Sequence, residues 1–541
     1  MLERALLDAQ FPAIPKFNNP VPTPDQPANM DLQHALRQLG IGEEDMAAVL
    51  SGFAIQAYRS YERTNSRHDI DLAVVSAQAA VDMTDEGDPD RASWVNNLGL
   101  MLKCRYERTG AMADLEEAIG MARQAVAATP DDDPDRAGRL NNLGNQLGCR
   151  YERTGAMVDL EEAIRVARQA VAATSDDHPD RAACLSNLGS QLGCRYERTG
   201  AMADLEEAID VTRQAVAATP DDHPNRATCL NNLGIKLGRR HERTGAMADL
   251  EEAIGVAQQA VAATPEDHPD RAGWLNNLGT QLFRRYERTG AMAGLEEAIG
   301  VARRAVAATP KDHPSRARRL NNLGGHLGRR YERTGAMADL EEAIGVARQA
   351  VAVTPDDHPD RATWLNNLGN QLFRRYKRTG AMADLDNASV HLRQAWGTDT
   401  AVPFHRVHAA ARCIKLLAVR GNVSAAAQLG QDVIHLLPTL NTKLLDRNDQ
   451  QHVVSTFAGV AADLCSLHLA SNRVDDALQY LEEGRAVILS QLIDSRRNVS
   501  DLARNHPDVA RRYKGLRDEV NAPLRSLEQN AWREQVLERR R

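Results

Sequence analysis

The chain has 541 residues, 59.4 kDa and a net charge of −8, from 66 basic and 74 acidic residues. The acidic excess argues against a partner recognised through its phosphate backbone. With a mean hydropathy of −0.47 and no apolar run near the ~18 residues a membrane helix needs, no membrane span is expected. Aromatic residues make up only 4%, and a core rich in Ala and Leu suits closely packed helices rather than sandwiches or barrels.

Residues 1–30 hold Pro12, Pro15, Pro20, Pro22, Pro24 and Pro27 and read as a disordered leader, without the cationic start and apolar run of a secretory signal. A helical lead-in is expected over 31–44. The seven cysteines have no short paired spacing, which predicts free thiols and a cytosolic or nuclear location.

A repeat occupies residues 45–396. The string Arg-Tyr-Glu-Arg-Thr-Gly ends at Gly110, Gly155, Gly200, Gly290 and Gly335, with variant copies at Gly245 and Gly380, always on a 45-residue grid. A worn copy begins at Tyr61, so eight units are expected. Each unit reads as two helices. In one copy Pro134-Asp135-Arg136 opens helix A, Leu140, Leu143, Leu147 and Tyr151 form its apolar stripe, and Gly155 supplies a left-handed cap. Helix B is expected to start at Asp159, with Glu162 completing a capping box. Its stripe is Leu160, Ala163, Ile164, Ala167, Ala170 and Val171. One such hairpin cannot bury its apolar face alone, so the units must stack.

These offsets resemble the tetratricopeptide repeat family: Leu140, Leu143-Gly144, Leu147, Ala163 and Ala170 fit its pattern, and Pro130, Pro220, Pro265, Pro310 and Pro355 close the units. The longer unit with Leu-Asn-Asn-Leu is similar to kinesin light chain repeats. The resemblance implies an all-α, right-handed α-solenoid of helix-turn-helix repeats with a C-terminal helical extension. It also implies that helix A lines a concave groove for a peptide or protein partner.

The copies differ mainly along helix A. The varied columns include Trp94, Trp274 and Trp364; Phe283 and Phe373; and the consecutive Arg239, Arg284, Arg329 and Arg374. They suggest a groove diversified on a fixed frame, although drift at exposed positions would also vary. The second Asn of each pair (Asn97, Asn142, Asn187, Asn232, Asn277, Asn322 and Asn367) has an implied role in holding a peptide backbone. Asn equally suits bonds between adjacent helices that keep repeats in register. The Arg column fits an acidic partner segment, or a solvated helix end opposing the dipole.

His178, His223, His268, His313 and His358 recur in the loop between units. Equivalent positions lie about 15–20 Å apart at about 8–10 Å per helix contact, too far to share a zinc ion bound at about 2.0–2.1 Å. Loop capping is expected of them instead. Cys104, Cys149 and Cys194 fail the same test. With no Gly-rich phosphate loop, nucleophile elbow or His-Glu-x-x-His string, no catalytic residue, metal or cofactor is expected.

Residues 397–498 read as degenerate helical hairpins and 499–541 as a charged helical tail. Gln450-Gln-His452, Phe457-Ala-Gly459, the Leu481–Leu492 string, Ser500-Asp-Leu and His506-Pro507 resemble the linker joining such repeats to the CHAT domain, a caspase-like cysteine protease fold. A site of that type needs His and Cys on loops at strand ends, and no strand pattern follows. A non-catalytic interaction scaffold is therefore expected, and the resemblance implies the sensor or regulatory part of a CHAT-type system. The alternatives are an N-terminal fragment of a repeat-CHAT protease and a structural spacer. The sequence sets no oligomeric state.

Overall fold

The structure is a computed structural model describing residues 42–436, 447–485 and 507–512. The Pro-rich leader, most of the lead-in and most of the charged tail lie outside the described residues. Two compact units divide at residues 263 and 264, and each is taken by itself. The first holds α1 (Glu43–Thr64), α2 (Arg67–Asp82), α3 (Arg91–Thr109), α4 (Met112–Ala127), α5 (Arg136–Thr154), α6 (Met157–Ala172), α7 (Arg181–Thr199), α8 (Met202–Ala217), α9 (Arg226–Thr244) and α10 (Met247–Ala262). The second holds α11 (Arg271–Thr289), α12 (Met292–Ala307), α13 (Arg316–Thr334), α14 (Met337–Ala352), α15 (Arg361–Thr379), α16 (Met382–Trp396), α17 (Pro403–Val419), α18 (Val423–Leu436) and α19 (Arg447–Ala470). No strand occurs among the described residues.

Within each unit consecutive helices pair as antiparallel hairpins, and each first helix after the unit's opening one also packs on the second helix of the preceding hairpin. Leu140, Leu143 and Leu147 are buried with Leu115 and Ile119 before them and with Ala163 and Val166 after. Leu188 and Leu192 repeat the arrangement with Leu160, Ile164 and Ala208. Ala at these places lets helix backbones approach closely, so the core is continuous from hairpin to hairpin within each unit.

The reversal between helices is set by glycine. Gly155 has φ +70, and its N–H donates to Tyr151 O at 2.7 Å, closing helix A. The side chain of Thr154 caps the next turn by accepting from Ala156 N at 3.2 Å. The capping box expected at Asp159 does not form. Helix B begins two residues earlier, at Met157, and its N-cap Ala156 has no side-chain bond. Asp159 instead accepts from Arg150 Nε at 3.0 Å and from a terminal guanidinium nitrogen at 2.6 Å. A bidentate guanidinium is a stronger partner than a backbone N–H, and Arg150, nine residues upstream, reaches across the turn. Its guanidinium is held above its ordinary range first by that hydrogen bond. The same link joins Arg105 to Asp114, Arg195 to Asp204, Arg240 to Asp249, Arg330 to Asp339 and Arg375 to Asp384.

Candidate partner-binding face

The Asn pairs lie midway along each first helix and form a ladder between neighbouring first helices. Nδ2 of Asn142 donates to Asn96 Oδ1 at 3.0 Å, and Asn187 does the same to Asn141 at 2.7 Å. Asn232 meets Ser186 Oγ at 3.4 Å, where serine replaces the first Asn. In the second unit Asn322 donates to Asn276 at 3.0 Å and Asn367 to Asn321 at 2.7 Å. Asn97 and Asn277 are half-buried on the same column. One donor of Asn142, Asn187, Asn232, Asn322 and Asn367 thus bonds the neighbouring first helix, while the Oδ1 of each stays outside these bonds.

The Trp column faces inward more than a groove position would. Trp364 is only 6% exposed and packs with Ala343, Val346 and Ala350 of the preceding second helix. Trp94 and Trp274 are half-buried. Equivalent Cys184 and Cys229 are buried. The expectation that this column presents rings to a partner is corrected at Trp364. The reason is that the first helix touches helices on two sides, so its buried arc is wider than one Leu stripe.

The Phe and Gly column is a contact between repeats. Phe283 stacks on His326 of the next first helix, with ring centroids 4.3 Å apart. Where the column is glycine, the space is taken by the residue 43 positions on: the Gln191 amide at Gly148, Lys236 Cε at Gly193 and the Gln371 amide at Gly328. Phe373 stacks on Tyr376 at 6.1 Å and lies under Lys377 Nζ at 4.6 Å. The partner column, Gln146, Gln191, Lys236, Gln281, His326 and Gln371, is buried and was not singled out from sequence. Its period and its two titratable departures were the available signal.

Arg239, Arg329 and Arg374 of the Arg column are engaged by the chain's own carboxylates. Arg239 pairs with Glu197 at 3.1 Å and Glu242 at 3.3 Å; Arg329 pairs with Glu287 at 3.7 Å and Glu332 at 3.0 Å. Arg374 bonds Gln371 Oε1 at 3.1 Å and pairs with Glu332. Arg284 donates to Gln281 Oε1 at 3.2 Å.

The loop histidines act as caps. Nδ1 of His178, His223, His268, His313 and His358 accepts the backbone N–H two residues on, at 3.0–3.2 Å. Carboxylates of Asp88 and Asp133 make the same bond in earlier loops, at 2.8 and 2.7 Å. A position where Asp and His interchange needs an acceptor, not a metal ligand. Among the described residues no group of three His, Cys, Asp or Glu is placed to hold a metal, and no helix is long and apolar enough to cross a membrane.

At the far end of the second unit's Asn ladder lies a cavity of about 540 Å³, bounded by α11, α13, α15 and α17. Phe283, His326, Asn367, Arg374, Phe404 and Arg412 are among its lining residues. Arg412 occupies the second-Asn position of α17 and donates to Asn366 Oδ1 at 3.1 Å.

Stacked helical hairpins with an amide ladder between their first helices define an all-α repeat protein. The tetratricopeptide repeat family matches six successive units, at residues 91–135, 136–180, 181–225, 226–270, 271–315 and 316–360. The chain belongs to that family. Among solved structures it is similar to the nearly identical TPR-like repeats of a kinesin light chain-like protein from Podosopora anserina, at 23% identity and TM-score 0.30, over 39% of this chain and 95% of that one. It is also similar to BtubC (BKLC) from P. vanneervenii, at 16% identity and TM-score 0.31, over 50% and 91%. A third is pilF of Pseudomonas aeruginosa, at 16% and TM-score 0.33, over 51% and 98%. No curated protein matches the chain.

Proposed function

We propose that the chain is a non-catalytic scaffold that holds a protein or peptide partner along its first-helix face. The observation that supports this most is the Asn ladder. Asn142, Asn187, Asn322 and Asn367 are half-buried, and each spends one N–H on the neighbouring repeat and keeps Oδ1 outside the ladder. A regular row of such acceptors suits an extended backbone without reading its side chains. The varied positions beside the row, Asn145, Ile235 and Gly325, then supply selectivity. The linker-like strings at Gln450-Gln-His452 and Phe457-Ala-Gly459 favour a finer reading, in which the scaffold regulates a CHAT-type protease.

Affinity purification tests both readings. The control is Asn145→Arg, Ile235→Arg and Gly325→Arg together, which crowd the face without touching the ladder; Ile235 is 38% exposed and a side chain at Gly325 meets nothing within 4 Å. The expected result is a partner captured by the native chain and lost by the triple variant. A partner retained equally by both overturns the face assignment, and capture without any CHAT-type peptidase overturns the finer reading.

A further inference from the structure

Arg412 stands 45 residues after Asn367 and takes over the ladder bond of the second Asn, donating to Asn366 Oδ1 at 3.1 Å. An amide would have brought two N–H donors and no charge; a guanidinium brings five donors and a full positive charge. Arg329 and Arg374, lining the same cavity, are matched by Glu287 and Glu332. Among the described residues no carboxylate pairs with Arg412, whose only charged neighbour of note is Arg374. Burial, and then the neighbouring Arg374, push its guanidinium below the ordinary range, a cost that a bound anion removes. The cavity therefore carries one uncompensated unit of positive charge.

A second observation points the same way. His326 lines the cavity and is 6% exposed. Burial pushes it down to about 4, so near neutrality the ring is uncharged and offers one donor and one acceptor. The apolar surface is aromatic: Phe283 lies against His326 at 4.3 Å, and Phe404 meets His408 edge-on at 4.8 Å. At about 540 Å³ the volume falls within the ~300–1,000 Å³ of small-molecule sites.

We infer that this cavity is a binding site for a small aromatic monocarboxylate, its carboxylate seated on Arg412 and its ring against Phe404 and Phe283. One unmatched charge fits a monoanion; a phosphate dianion would leave a charge buried and unpaired. The inference is separate from the partner reading, because the site is confined to four hairpins of the second unit and needs no macromolecule.

Calorimetric titration of the full chain with 2-naphthoate tests it, with 2-naphthamide as the uncharged counterpart and acetyl-Glu-Asp-Glu-amide as an acidic peptide. Saturable naphthoate binding is expected, at least tenfold tighter than the amide and with no comparable heat from the peptide. Arg412→Gln keeps the ladder donor and is expected to weaken naphthoate at least tenfold with an unchanged melting temperature. Arg412→Lys, which keeps the charge and loses the planar fork, is expected to fall between. Absence of saturable naphthoate binding, equal binding by Arg412→Gln, or tighter binding of the peptide overturns the inference. Absent naphthoate binding, or equal binding by Arg412→Gln, leaves the partner reading standing, whereas tighter binding of the peptide would support that reading while overturning this one.

Discussion

A β-carbon added to Gly294 would lie 3.9 Å from Nε of Arg285, at the place where Asp159 grips Arg150 in another repeat. Lacking that carboxylate, Arg285 turns to Glu297 at 3.0 Å, and Glu297 is exposed. Exposed pairs contribute little, and glycine in a helix is about 1 kcal/mol worse than alanine. Gly294→Asp restores the local pair, and no neighbour approaches the new atom closer than 3.8 Å. The expected outcome is a gain of about 1–2 kcal/mol in urea unfolding; an unchanged midpoint refutes it.

Lys236 is the costly member of the buried Gln column. Burial lowers its amine from 10.5 to about 8, so the charge is held in the fold at neutral pH against its preference. The folded value lies below the unfolded one. Stability from this group is thus full above pH 10.5 and is lost as the pH falls towards 8. Lys236→Gln, the residue used at Gln191, is expected to raise stability at pH 7 by up to about 3 kcal/mol, with the advantage shrinking as the pH rises above about 8. Thermal melts across that range check it, and a neutral-pH loss contradicts it.

His326 produces the same effect at lower pH. Its imidazole is pushed from 6.5 to about 4 by burial, so the unfolded chain takes up a proton first as acid is added. The native protein is expected to lose up to about 3 kcal/mol between pH 6.5 and 4 through this group. His326→Gln removes that portion of the acid sensitivity. Parallel acid titrations of the two proteins, followed by circular dichroism, decide the point; identical profiles count against it.

The ladder bond between Asn187 and Asn141, at 2.7 Å, links two first helices directly. A double-mutant cycle with Asn141→Ala and Asn187→Ala is expected to give a coupling of about 0.5–1.5 kcal/mol. Simple additivity would mean that water replaces the bond at no loss.

Much of the architecture could be read from sequence because it rests on local rules repeated every 45 residues. Leu140, Leu143 and Leu147 mark one face, and Gly155 marks a left-handed reversal that other residues resist. What escaped depended on neighbours brought in by folding. Asp159 has the spacing of a cap, yet Arg150 across the turn offers it a better bond. Trp364 varies among copies as a surface residue would, but the preceding second helix covers it. The Asn pairs left two readings open because an amide can face a neighbour and a ligand together, and the ladder uses only part of each. Arg412 went unremarked because its hairpin has lost the Leu-Gly string, although its distance from Asn367 keeps the old spacing.

The matched sockets between Gly148 and Gln191, Phe283 and His326, and Gly328 and Gln371 make the order of the units matter. Near-identical tandem segments invite duplication, loss or exchange of whole copies. A copy ending in Phe, set before one that inserts Gln, would force an amide into a ring-filled space. Shuffled arrays would keep their helices and lose their fit, so the present succession is itself inherited information.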